Sequence, residues 1–99
     1  RPDQIGRPTD VYALGAILYG ILCGEPPFKG ETVQEVLRKV RDQAPARPRT
    51  VHPQAPAALE AVCLKAMARD PKARYPLASD LAQEVRRWLA DEPVEAYPE

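Results

Sequence analysis

The chain has 99 residues, 44% of them hydrophobic and 28% charged, which fits one globular unit at most. Fourteen basic residues balance fourteen acidic ones, and that balance argues against a dedicated nucleic-acid binder, which is clearly basic. Two cysteines far apart, in no metal-ligand spacing, exclude a disulfide scaffold and a zinc knuckle and fit a reducing compartment, so a cytoplasmic location is expected.

Residues 1–8 are polar, hold two prolines and a glycine, and read as an irregular lead-in. Thr9 or Asp10 is placed to cap the helix that follows. Helix one is predicted over 10–23, with Gly24 as its stop. Val11, Tyr12, Leu14, Ile17, Leu18, Tyr19, Ile21 and Leu22 cover all its faces, the pattern of a helix in the middle of something. Gly15 and Gly20 each cost it about 1 kcal/mol against Ala, which close approach of another backbone would offset. The uncharged run 11–24 has fourteen residues, short of the roughly 20 that a bilayer span needs.

Glu25-Pro26-Pro27-Phe28-Lys29-Gly30 forbids helix and turns the chain, with Phe28 as a plug against helix one. Helix two is predicted over 32–41. Thr32 and Glu35 have capping-box spacing, and Val33, Val36, Leu37 and Val40 form an amphipathic stripe. Residues 42–55 hold three prolines and little apolar bulk, and read as an extended surface connector. Helix three is predicted over 56–68, with Leu59, Val62, Cys63, Ala66 and Met67 on one face. Helix four is predicted over 78–90, with Leu81, Val85, Trp88 and Leu89 inward. Asp80 and Glu84 stand early in it and Arg86 and Arg87 late, as the helix dipole prefers. Residues 91–99 carry four acids, two prolines and no base, and read as a frayed acidic linker. No run alternates as a strand does, so the expected fold is all-α, four helices around helix one.

The chemistry-bearing residues are sparse. His52, the single histidine, sits in the proline-rich connector and reads as a solvated loop residue rather than a base. Cys23 and Cys63 fall on apolar helix positions and read as buried, inert thiols. There is no nucleophile elbow, no GxGxxG and no phosphate-cradling GxxxxGK[ST]. No cofactor or metal site is therefore expected in this segment. Arg38, Lys39, Arg41, Arg47 and Arg49 stand against one acid, Asp42: a solvated surface, or a docking patch for acidic partners. Asp10 reads as a cap or as an acceptor holding a neighbouring loop by its amides. Arg74, in a half-covered segment, calls for a carboxylate; Asp3, Asp10 and Asp70 are the nearby choices.

Two blocks carry a family resemblance. Asp10-Val11-Tyr12-Ala13-Leu14-Gly15 followed by Gly24-Glu25-Pro26-Pro27-Phe28 resembles the central helix, and the loop after it, of the C-terminal lobe of eukaryotic-like protein kinases. The block Cys63-Leu64-Lys65-Ala66-Met67-Ala68-Arg69-Asp70-Pro71-Lys72-Ala73-Arg74-Tyr75 resembles the late kinase segment that ends in its characteristic Arg. With Arg86-Arg87-Trp88-Leu89, the chain is most similar to bacterial (Hanks-type) serine/threonine kinases, from Thr9 to about Leu89. The resemblance implies that residues 1–90 are the last third of a kinase domain and 91–99 a tail. It implies that Asp10 grips the catalytic loop, that Ile17 and Ile21 support the hydrophobic column beneath the adenine site, and that Arg74 pairs with the Glu closing the activation segment. Pro2-Asp3 resembles the Pro-Glu of that closure, at a different distance from Asp10. Gly20 stands where the family often carries a Glu that reads basic substrates. Helix two, with Arg38, Lys39 and Arg41, would dock protein substrates or regulators.

The Gly-rich loop, Lys, catalytic Asp and metal-binding Asp of a kinase are absent from the chain. ATP and Mg are thus expected of the parent, and this segment is expected to be an inactive scaffold whose main partner is the N-terminal part of the kinase domain. Anchoring of the parent in a membrane would lie beyond Glu99. The alternative is a free-standing helical interaction module or kinase remnant. Either way helix one would keep an exposed apolar patch larger than is usual for a monomer.

Overall fold

The structure, a computed structural model, describes residues 7–97. Its elements are α1 (Arg7–Cys23), α2 (Val33–Asp42), α3 (Pro48–Val51), α4 (Ala57–Ala66), a 3-10 turn (Pro71–Ala73) and α5 (Ala78–Leu89). Among the described residues the fold is all-α, as expected, with one short helix more than the sequence suggested.

Helix α1 begins at Arg7, so Pro8 lies in its first turn, where a proline's missing N–H costs nothing. Thr9 and Asp10 are inside the helix and do not cap it, contrary to expectation. Val11, Gly15 and Tyr19 make one buried stripe at spacing four, facing α4. Contact is close: a Cβ built on Gly15 would lie 2.8 Å from both Ala66 Cβ and Met67 Cγ. The Cys63 thiol also donates to the Gly15 carbonyl at 3.4 Å. Gly20 has nothing within 4 Å of its would-be Cβ, so close approach explains the first glycine only.

Two groups of buried side chains hold the body. Val11, Val62, Ala66, Tyr75, Leu81 and Val94 pack together, and beside them Tyr19, Cys63 and Met67 pack with Phe28 and Leu22 at their edge. Each large apolar side chain buried here contributes about 1.5–3 kcal/mol. The opposite face of α1 is uncovered: Leu14 is 40% exposed, Ile17 60% and Ile21 74%. Helix α1 therefore has one buried face and one bare apolar face.

Helix α2 starts as its sequence indicates, with Thr32 Oγ1 accepting from the Glu35 amide at 3.1 Å. It packs closely against no other helix and buries no residue fully. The expected arrangement of every helix around helix one thus fails for α2, whose Val33 and Leu37 face outward.

The connector 42–55 is only partly extended. Residues 48–51 form the helical turn α3, with Pro48 at its first position and buried. Its fastening comes from Glu60 of α4, a nearly buried carboxylate that accepts from Arg47 Nη2 at 3.0 Å and from the Arg49 amide at 2.8 Å. Tyr19 adds a bond from its hydroxyl to the Ala46 carbonyl at 2.8 Å.

The tail also departs from the frayed linker expected of it. Helix α5 ends in a Schellman turn: the Asp91 amide bonds the Trp88 carbonyl at 3.1 Å and the Glu92 amide the Arg87 carbonyl at 2.8 Å. Asp91 takes the left-handed φ of 60° that this turn requires. The chain reverses and buries Val94 in the core. Glu84, only 2% exposed, accepts from the Glu95 amide and the Ala96 amide at 3.0 Å each, from the Tyr75 hydroxyl at 3.0 Å and from Arg87 Nη1 at 3.2 Å. Burial alone would raise the Glu84 carboxyl's pKa; the two amides, Tyr75 and Arg87 outweigh it, and the pKa falls below its usual 4.5.

Two outcomes follow from this packing. Gly15→Ala should destabilise the chain by about 1–3 kcal/mol through overpacking, whereas Gly20→Ala should stabilise it by up to about 1 kcal/mol; urea midpoints compare them. Because the pKa of Glu84 is depressed on folding, its stabilisation is complete above the unfolded value near 4.5 and is lost as pH falls through the folded value. The melting temperature of the native chain should therefore drop more steeply below about pH 4.5 than that of Glu84→Gln.

Candidate functional site

Two surface features bring together residues that the sequence singled out. The first is the apolar face of α1. Leu14, Ile17 and Ile21 meet Ala78, Ala82 and Val85 of α5 across an open groove of about 400 Å³, with Arg86 at its rim. Its floor includes the buried Leu81. The groove exists because α1 is apolar all round while α4 and α5 can cover only part of it. Leaving apolar surface of this kind in contact with water is unfavourable.

The second centres on Arg74, which follows the 3-10 turn. Its Nε donates to the Ala68 carbonyl at 2.7 Å and its Nη1 to the Pro8 carbonyl at 2.9 Å. Its guanidinium stands 4.9 Å from the centre of the Tyr12 ring. Arg74 thus ties the first turn of α1 to the end of α4. Burial pushes the Tyr12 hydroxyl pKa up, and the neighbouring Arg74 charge offsets part of that rise.

The acids proposed for Arg74 are placed differently. Asp70 accepts from the Lys72 amide at 3.0 Å and caps the 3-10 turn. Asp10 is exposed on α1, and Asp3 lies outside the described residues. Among the described residues the hydrogen-bond partners of Arg74 are the Ala68 and Pro8 backbone carbonyls, the first just past the end of α4 and the second in the first turn of α1.

Arg74 also borders a cleft of about 650 Å³ with Thr9, Tyr12, Val40, Arg41 and Arg69. Of the basic residues on α2, Arg41 lines this cleft, but its Nε is 3.0 Å from Asp42 Oδ1. Lys39 lies 3.5 Å from Glu35, and Arg38 is exposed. Arg47 is spent on Glu60. The five-base run is therefore divided between ion pairs and solvent rather than gathered into one patch.

Cys63 is buried, and burial pushes its thiol up to about 12. Cys23 is half-buried rather than buried, with its Sγ 3.8 Å from the Pro48 carbonyl; burial raises its thiol too. Neither is a thiolate near neutral pH. His52 is exposed in its loop. No cluster of three or more His, Cys, Asp or Glu among the described residues is placed to hold a metal ion. No helix among them is long and apolar enough to cross a membrane.

Sequence reasoning missed the burial of Glu60 and Glu84, the buried carboxylates among the described residues. Both left a signal. Glu84 falls in the slot i+3 from Leu81 and i−4 from Trp88, within the inward stripe, and Glu60 stands three before Cys63 and seven before Met67. An acid inside an apolar stripe has to find donors when it is buried.

No known protein-family model matches the chain. Curated relatives do. Over 96 residues, 97% of this chain, it is 38% identical to serine/threonine-protein kinase PknB of Mycobacterium tuberculosis and likewise to PknB of Mycobacterium leprae. It is 40% identical over 82 residues, 83% of the chain, to serine/threonine-protein kinase PknE of Mycobacterium tuberculosis. The chain spans only about 15% of the length of these PknB relatives and 14% of that of PknE. It is homologous to a segment of bacterial serine/threonine protein kinases, and its all-helical fold is that of a piece of a kinase C-terminal lobe.

The bare face of α1 should bind an environment-sensitive apolar dye. Ile17→Ser with Ile21→Ser should cut that fluorescence at least about two-fold, while shifting stability by no more than about 0.5 kcal/mol per site, as for other exposed positions. Parallel dye titrations and thermal melts read both effects.

Proposed function

We propose that this chain is the helical base of the C-terminal lobe of a serine/threonine protein kinase, supplying scaffold and docking surface to an enzyme that transfers the γ-phosphate of ATP to protein Ser or Thr with Mg²⁺. The observation that carries this reading is the bare face of α1. Ile17 and Ile21, expected from the family resemblance beneath the adenine site, are the most exposed large apolar residues of that helix, while its opposite face is packed to contact on α4. In the intact kinase the groove between α1 and α5 is filled by the preceding part of the domain.

Asp10, exposed on the first turns of α1, holds the backbone of the catalytic loop. Arg74 secures the start of α1 through the Pro8 carbonyl and reaches towards the end of the activation segment. Arg38, Lys39 and Arg41 offer protein substrates or regulators a basic edge on α2, the helix least engaged by the rest of the body. This segment itself holds neither ATP nor Mg²⁺, since it has no glycine-rich loop and no metal-binding acids of the kinase kind. It works where ATP is found, in the cytoplasm.

Complementation tests this reading. The chain alone, given radiolabelled ATP and a generic protein substrate, should transfer no phosphate. Mixed with a separately produced segment carrying the Gly-rich loop, Lys and two Asp residues of the mycobacterial PknB relative, it should form a one-to-one complex. Dye binding should then fall to background, and Ile17→Ser with Ile21→Ser should weaken the complex at least ten-fold, about 1.4 kcal/mol. Turnover by the chain alone, or no complex with the complementary segment, would sink the proposal.

A further inference from the structure

Residues 91–97 are joined to the helical body in an unusual way. The Schellman turn at Asp91 sends the chain back along α5, and the contacts that seat it are concentrated in two places. One is Val94, which enters the core beside Val62 and Leu81 while Ala96 rests against the same cluster. The other is the Glu84 carboxylate, whose two oxygens take two successive backbone amides, Oε1 from Glu95 and Oε2 from Ala96. Between and beside these points the segment is undercut. A cleft of about 270 Å³ lies on its Trp88 side, and one of about 230 Å³ runs beneath Glu95 next to Tyr75.

The Glu84 fork belongs to the body whether or not the segment is seated. Tyr75 and Arg87 hold the carboxylate from the other side, Tyr75 also lies under the Lys65 ammonium at 4.7 Å, and α5 carries Glu84 in mid-helix. The segment, by contrast, contributes two amides, one valine and one alanine. Arg87 adds a long contact to the exposed Glu95 carboxylate at 3.8 Å, where water screens it. A unit with so few buried contacts has a low local opening free energy compared with the core helices.

We propose that residues 91–97 form a latched strap, which closes on α4 and α5 through the Glu84 fork and the Val94 side chain and opens from them as a unit while the helical body stays folded. Opening leaves an acceptor pair and an apolar seat on α5, and it frees the chain at Tyr97 to leave the body. The position of whatever polypeptide is joined to the strap is thereby set by the latch, whichever enzyme the chain serves.

Amide hydrogen exchange, resolved to single residues on the full chain, tests the latch. In the native chain the Glu95 and Ala96 amides should exchange at least ten-fold faster than those of Val62 and Cys63 in α4. Glu84→Gln keeps the side chain's size but places an NH₂ where one amide must dock. It should speed exchange at Glu95 and Ala96 a further ten-fold or more, with Val62 and Cys63 changing less than three-fold. Val94→Ala should act in the same direction without touching the carboxylate. Asp91→Gly, which relieves the left-handed φ, should slow exchange at Glu95 and Ala96. Equal acceleration of strap and α4 in Glu84→Gln and Val94→Ala, no acceleration in either, or failure of both variants to fold would show that the segment is a fixed part of the core and would overturn the proposal.

Discussion

The contact between Gly15 and the Ala66–Met67 corner decides how everything else is arranged. With hydrogen where other residues carry Cβ, α1 approaches α4 until the Ala66 methyl and the Met67 side chain fill the space a side chain would occupy. That approach buries Val11 and Tyr19 on the same stripe and closes the Cys63 thiol onto the Gly15 carbonyl. It also fixes the rotation of α1 about its axis. Once the stripe Val11, Gly15, Tyr19 faces α4, Leu14, Ile17 and Ile21 have to face away. The bare apolar face and the packed face are two sides of one constraint, and the proposed role as a support for further kinase structure rests on that orientation.

Around this packed pair the irregular segments are held by buried carboxylates as well as by apolar bulk. Glu60 collects the connector through Arg47 and the Arg49 amide; Glu84 collects the tail through the Glu95 and Ala96 amides. In both cases a carboxylate on the inner side of a helix meets backbone N–H groups that have no helix or sheet to pair with. A buried carboxylate without such donors would be costly; with them, each satisfies the other's requirement. Arg74 does the complementary work, donating guanidinium N–H groups to the Ala68 carbonyl after α4 and to the Pro8 carbonyl in the first turn of α1. Short polar fasteners thus tie a proline-rich chain of modest core size to its helices.

Much of this was legible in the residues. Three of the longer helices follow from apolar spacing of three and four and α1 from its unbroken apolar run, with proline and glycine between them, and Thr32 caps α2 as its spacing with Glu35 suggested. The helix-one and Arg74 blocks resembled the kinase lobe, and the mycobacterial kinases match across the same stretch. Other features were hidden for physical reasons. Composition describes residues 91–99 as acidic and proline-bearing, and nothing in that composition shows that Val94 has a seat waiting in the core. The basic run on α2 and the connector looks like one patch in sequence, but i,i+4 pairing of Lys39 with Glu35 and capture of Arg47 by Glu60 divide it. Thr9 and Asp10 have capping chemistry, yet the helix had already begun at Arg7, since Pro8 fits a first helical turn.

By itself the sequence determined that this protein is helical and that its first long helix is apolar on every face, because periodicity and side-chain chemistry are local properties of the chain. Only the tertiary structure decided which face of α1 is covered, which carbonyls Arg74 reaches, and that the tail folds back onto Glu84. Those outcomes depend on distances between residues up to 66 positions apart, and no local rule carries information over that range.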